Sequence, residues 1–121
     1  MTLISCEKAV KFFEEKLSFT TGPIELHDMM RHDENIKIID VRDSEDFAKG
    51  HIPGAINMPR DTWDTCSNLS KCHVNIVYCY SEVCHLAAAA AKEFAACGFS
   101  VMELEGGFDE WQKFNLPVEK H

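Results

Sequence analysis

Cys79 follows the apolar run Val74 to Tyr78 (VNIVY). A short turn, Tyr80-Ser81-Glu82-Val83, then leads into a segment holding five consecutive alanines, Ala87 to Ala91. The apolar run reads as a buried strand, and the stretch from about Cys84 to Cys97 as a helix. A thiol between strand end and helix start sees oriented amide N–H groups and the positive end of the helix dipole. Both favour thiolate, the nucleophilic form of cysteine. A loop curled around the sulfur would aim further N–H groups at it, making an anion-binding nest. None of the other five cysteines (Cys6, Cys66, Cys72, Cys84, Cys97) combines a strand end, a short turn and a helix start. Position alone equally allows Cys79 to be a small buried hydrophobe, as free cysteines often are.

Two further groups of residues have chemical potential. Cys84 offers a second thiol that could attack a sulfur held on Cys79 and close a disulfide, provided the loop brings the two α-carbons within about 7 Å. Its plainer reading is a small residue at a helix start. Cys66, Cys72 and His73 form a Cys-x5-Cys-His group, but zinc sites want closely paired cysteines, so these read as incidental thiols and no metal is expected.

The elements that position Cys79 can be read along the chain. Ser5 caps a first helix with Ala9, Phe12, Phe13 and Leu17 at helical spacing. Gly22-Pro23 breaks it and opens a second helix near Ile24 to Arg31. Ile36 to Val41 is a buried strand. Asp43 or Ser44 starts a short helix that Gly50 ends, and His51-Ile52-Pro53-Gly54 is a turn before a brief strand at Ala55 to Asn57. A helix is expected around Asp61 to Ser67. Gly98 is placed for a left-handed helix cap. Ser100 to Leu104 is a further strand, Gly106-Gly107 a tight turn, and Phe108 to Phe114 a last helix stopped before Pro117. Strands alternating with helices predict an α/β fold, with a mostly parallel sheet covered on both faces. Sites in such sheets form at the carboxyl ends of the strands.

Length and composition agree with one domain over residues 1–121, with 1–31 a helical segment packing on it. At 45% hydrophobic residues the chain has material for a real core, and its formal charge is -8. That balance argues against nucleic acid and against an anionic membrane surface as partners. No segment is apolar for long enough to span a bilayer. Met1 to Lys16 lacks the order of a secretory leader, being interrupted by Glu7, Lys8 and Lys11, so a cytoplasmic location is expected. In that compartment six cysteines read as thiols rather than a disulfide framework. Nothing calls for an organic cofactor, and no residue indicates an oligomeric state.

Three ordered motifs carry a family resemblance. Residues 39–59 (IDVRDSEDFAKGHIPGAINMP), 76–79 (IVYC) and 105–118 (EGGFDEWQKFNLPV) resemble, in turn, three rhodanese segments. These are that family's Asp-x-Arg and Gly-His-Ile-Pro-Gly-Ala signature, the strand that delivers its active cysteine, and its closing Gly-Gly-x-x-x-Trp segment. The resemblance implies a rhodanese-like α/β domain and a sulfurtransferase in which Cys79 takes a sulfane sulfur as a persulfide. The sulfur is then passed to a thiol acceptor. It also implies that Tyr80, Ser81, Glu82, Val83, Cys84 and His85 form the substrate loop. Asp40, Arg42, His51, Gly54, Gly106 and Gly107 become structural motif residues. Among these, Arg42 is expected to pair with Glu45 or Asp46. His51 is expected to be a satisfied structural histidine more than a proton carrier, and Trp63 and Trp111 to be packing residues.

The loop departs from the family pattern. Glu82 stands where a glycine is usual, and no Arg or Lys lies between Cys79 and His85. Thiosulfate is a dianion that Glu82 would repel, so a small-molecule or protein persulfide is the expected donor. His85 falls where related cysteine phosphatases carry the arginine that clamps phosphate, and imidazole cannot supply that fork. Two other functions fit the same residues. One is a thiol-disulfide or persulfide redox protein using Cys79 and Cys84, and the other a non-catalytic sulfur- or redox-sensing interaction module.

Overall fold

A computed structural model describes residues 5–32 and 35–121. Five strands, β1 (Thr20–Thr21), β2 (Ile36–Asp40), β3 (Ile56–Asn57), β4 (Val74–Tyr78) and β5 (Val101–Leu104), form one sheet in the order β1-β5-β4-β2-β3. Every pairing is parallel, and the central β2–β4 ladder runs from Ile36 opposite Val74 to Asp40 opposite Tyr78. Five α-helices accompany it: α1 (Cys6–Phe19), α2 (Pro23–His32), α3 (Ser44–Lys49), α4 (Leu86–Ala96) and α5 (Gly107–Lys113), with a 3-10 turn at Arg60–Thr65. None of the described helices is long and apolar enough to cross a membrane.

Strand alternation splits the core in two. Ile39, Val41, Val77 and Cys79 pack with Met58, Trp63, Ala87, Ala90 and Phe94, so α4 and the 3-10 turn cover one face. Ile38, Ile76, Tyr78 and Leu104 pack with Leu26, Phe108 and Trp111, so α2 and α5 cover the other. Ala87 and Ala90 are fully buried, and their small side chains let α4 lie close to the sheet.

The α/β architecture is the one expected, with local differences. Helix α4 begins at Leu86 rather than Cys84, which leaves Cys84 and His85 in the loop. The Asp61 to Ser67 region is the 3-10 turn Arg60–Thr65. Strand β1 went unpredicted because two threonines carry no periodicity; it exists through its pairing of Thr20 with Glu103 and Thr21 with Leu104. Of the helical segment 1–31, whose first four residues lie outside the described ones, only Thr21 and Leu26 are buried. Helix α1 is capped by Ser5 as expected, but buries no side chain. It meets the sheet edge through the Lys16–Glu105 ion pair at 2.6 Å.

Candidate active site at the end of strand β4

Cys79 directly follows β4 at the carboxyl side of the sheet, where β4 lies between β2 and β5. Its side chain lies on the same face as Val77, pointing to α4, and only 2% of the residue is exposed. The thiol donates to the carbonyl oxygen of Cys84 at 3.6 Å. Backbone amides of Ala87 and Tyr80 reach the sulfur in return. Cys84 is half-buried, its thiol meets that of Cys79, and it takes the amides of Leu86 and Tyr80. Three N–H groups, two of them from the first residues of α4, therefore serve two sulfurs.

The amide cradle is thus present, but it does not make Cys79 the thiolate that its position favours. Burial pushes the Cys79 thiol up to about 11, with the hydrogen bond to Cys84 adding to it, and the amides only partly offset this. At Cys84 burial acts in the same direction. There it is outweighed by the hydrogen bond from Cys79 and by the Leu86 and Tyr80 amides, so Cys84 lies below the usual thiol range. Cys84 is therefore the first of the pair to ionise. Alkylation by iodoacetamide should reflect this order. At pH 7 only about one Cys79 in 10⁴ is thiolate, so Cys84 is modified first. Direct modification of Cys79 rises toward pH 11. Preferential labelling of Cys79 at neutral pH, read by peptide mapping, would refute the assignment.

The loop is held from two sides. From one, the Phe108 amide donates to Cys79 O and the Asp109 amide to Tyr80 O, both at 2.9 Å. That approach needs Gly107, whose φ is +59° and whose missing Cβ would lie 2.7 Å from Cys79 O. From the other, the Tyr80 hydroxyl donates to Asp46 Oδ2 at 2.6 Å and accepts from the Asp43 amide at 3.2 Å. Ser81 is half-buried, whereas Glu82, Val83 and His85 are exposed. Glu82 borders a shallow recess with Glu105, Glu110 and Gly106, so carboxylates dominate that side of the loop.

Other motif residues build the frame. Arg42 does not pair with Glu45 or Asp46. Its guanidinium turns inward to both oxygens of Asp40, at 2.8 Å for the shortest contact, and donates to Gly50 O at 2.6 Å. Strand periodicity is the reason, since it places residues 40 and 42 on one side, where Asp40 is fully buried and needs a partner. His51 sits in the frame behind the loop. It is buried, its Nδ1 donates to Phe47 O at 2.8 Å, and its ring stacks on Phe47. Gly54 has φ +81° with open space where a Cβ would be. Trp63 and Trp111 are packing residues whose indole N–H groups reach Met58 O and Pro117 O. Cys66 donates to Trp63 O and meets Cys97, while His73 bonds Ser70. Among the described residues no group of three or more His, Cys, Asp or Glu side chains is gathered for a metal.

Sequence reasoning missed the Tyr80–Asp46 clasp and the role of Glu103. Burial and Glu105 raise the Glu103 carboxyl, with His85 opposing the shift. No linear spacing announces either, because each joins residues from different elements.

The family model described as rhodanese-like domain matches residues 23–114. The HTH-type transcriptional regulator Rv0324 of Mycobacterium tuberculosis is 34% identical over 86 residues, covering 70% of this chain. The chain matches only 38% of that regulator's length. The thiosulfate sulfurtransferase GlpE of Stutzerimonas stutzeri is 36% identical over 77 residues, covering 62% of this chain and 69% of that protein. The crystal structure of the BH2092 protein from Bacillus halodurans superposes with a TM-score of 0.87 at 39% identity, covering 96% of this chain and 87% of that one.

Proposed function

The chain belongs to the rhodanese-like domain family, and within it we propose a sulfurtransferase that moves a sulfane sulfur through a persulfide on Cys79. The observation that carries this reading is the amide cradle. The N–H groups of Tyr80 and Ala87 converge on the Cys79 sulfur at the carboxyl end of the central sheet. Fixed donors of this kind stabilise negative charge without reorganising. A persulfide is a stronger acid than its parent thiol, so the cradle that fails to ionise the buried thiol is suited to holding the persulfide anion.

In the net reaction a donor R–S–SH gives up its outer sulfur. The donor S–S bond breaks, RS⁻ leaves, and Cys79–S–SH remains. An acceptor thiolate then attacks that outer sulfur and Cys79 thiolate leaves. The donor proposed is a small-molecule or protein persulfide, in a thiol-reducing compartment such as the cytoplasm. The Stutzerimonas relative is named for thiosulfate. Here Glu82, Glu105 and Glu110 border the loop; Lys16 pairs with Glu105 and Lys113 with Glu110, but the loop carries no Lys or Arg to offset Glu82. Two like charges about 4 Å apart cost about 1 kcal/mol in water. Glu82→Lys should therefore raise the thiosulfate rate roughly tenfold at low ionic strength, and less in salt. An unchanged rate would remove the electrostatic argument against thiosulfate.

The test of the function is intact mass after incubation with glutathione persulfide. One extra sulfur is expected, removable by cyanide and located by fragmentation on Cys79. If no sulfur is retained there, the reading fails. A second reading, a thiol-disulfide or sulfur-sensing module, is favoured by the meeting of the Cys79 and Cys84 thiols and by a regulator among the relatives. Its redox form predicts loss of two hydrogens in place of sulfur gain, and its sensing form no change of mass.

A further inference from the structure

We propose that Cys84 is the thiol that meets the sulfur donor, and that it hands the sulfane sulfur inward to Cys79. The proposal rests on the persulfide reading above and adds a second reacting residue to it.

Access separates the two sulfurs. An attacking sulfur must come within about 3–3.5 Å of the donor's outer sulfur. Cys79 is 2% exposed, belongs to the core cluster, and turns its S–H to the Cys84 carbonyl inside the loop. A donor as large as glutathione persulfide has no approach to it in this arrangement. Cys84 is only half-buried and stands between exposed neighbours, with Val83 81% exposed on one side and His85 on the other. Cys79 Sγ lies 3.6 Å from the carbonyl oxygen of Cys84 itself, so sulfur arriving on Cys84 is already beside Cys79.

The chemistry runs in the same direction. Cys84 thiolate attacks the outer sulfur of R–S–SH, the donor S–S bond breaks, RS⁻ departs, and Cys84–S–SH forms. Cys79 then attacks that outer sulfur while its proton passes to the departing Cys84 sulfur. The Cys84 S–S bond breaks, leaving Cys79–S–SH and Cys84 as a thiol. No electrons are gained or lost overall. Thiols of higher pKa are the better intrinsic nucleophiles and those of lower pKa the better leaving groups. Cys79 lies above the usual range and Cys84 below it, which suits them to attack and departure respectively. Tyr80's amide reaches both sulfurs and so stabilises charge at either end of the transfer.

Rapid-quench mass mapping with glutathione persulfide tests the order, since fragmentation between Tyr80 and Val83 assigns the extra sulfur to either cysteine. Wild-type protein should carry it first on Cys84 and later on Cys79. Cys84→Ser and Cys84→Ala, each checked for an unchanged melting curve, should load Cys79 about tenfold more slowly or worse. Cys79→Ser should still load Cys84, and the extra sulfur should stay there. The inference alone is overturned if the folded Cys84 variants load Cys79 as fast as wild type, or if Cys79→Ser takes up no sulfur. Release of sulfide with a Cys79–Cys84 disulfide also overturns it. Wild-type protein that takes up no sulfur at all overturns the persulfide reading itself.

Discussion

Arg42→Ala is expected to destabilise the domain by about 3–5 kcal/mol, the usual cost of leaving one partner of a buried ion pair behind. Asp40 is 0% exposed and Arg42 4%. The guanidinium donates to Asp40 through Nε and Nη2 and to Gly50 O, and lies 4.3 Å above the Phe108 ring. The Tyr78 hydroxyl also bonds Asp40 while accepting from the Ile52 amide at 3.1 Å. Deleting the guanidinium leaves a carboxylate in the interior with one phenol and one backbone amide as donors, and frees a carbonyl as well. Urea unfolding measures the loss, which corresponds to a fall in melting temperature of roughly 10–20 °C. Arg42→Lys should recover little, because a point charge cannot reproduce the fork. The double change Asp40→Leu with Arg42→Met should cost less than the sum of its singles, since no orphaned charge remains. A loss below about 1 kcal/mol for Arg42→Ala would mean that Asp40 finds water or another cation.

That ion pair shows how far the sequence can be read. The strand ending in Asp40, the helix after Asp43 and the stop at Gly50 all follow from local rules. The expectation that Arg42 would reach Glu45 or Asp46 treated it as part of the helix start. In fact it continues the strand's alternation, and a buried carboxylate two residues back outcompetes exposed ones ahead. Cys79 illustrates the same lesson. Its place just after β4 was legible, whereas its inward direction, on the face it shares with fully buried Val77, was left open between a reactive and a buried thiol. What could not be read was the balance between burial and amides. It depends on how closely α4 and the loop close over the sulfur, and no spacing encodes that. Tyr80–Asp46 is likewise a contact between elements, visible only once the sheet order brings them together.

Gly107→Ala should disable the site more than any other single-methyl addition. The new Cβ would lie 2.7 Å from Cys79 O, 2.8 Å from the Ser81 amide nitrogen and 2.9 Å from the Tyr80 carbonyl carbon. All three are backbone atoms of the reacting loop, so no side chain can step aside, and the loop itself must move. The displacement would break the bonds from the Phe108 and Asp109 amides that fix Cys79 and Tyr80. A shift near 1 Å at reacting atoms costs about a hundredfold in rate. The φ of +59° adds about 1–3 kcal/mol of backbone strain once a side chain is present. Two neighbouring experiments separate these causes. Gly54→Ala carries the same kind of strain, at φ +81°, but meets nothing within 4 Å. It should lose about 1 kcal/mol of stability and keep full sulfur loading. Gly106→Ala, at φ +85°, would meet Glu110 Cβ at 2.5 Å, so the first turn of α5 must shift, but no atom it meets belongs to the reacting loop, and its loading should fall less than that of Gly107→Ala. Loading rates measured beside urea midpoints for the three variants decide the matter. If Gly107→Ala loads sulfur like Gly54→Ala, the contact between α5 and the loop does not position Cys79, and the glycine is there for its conformation alone.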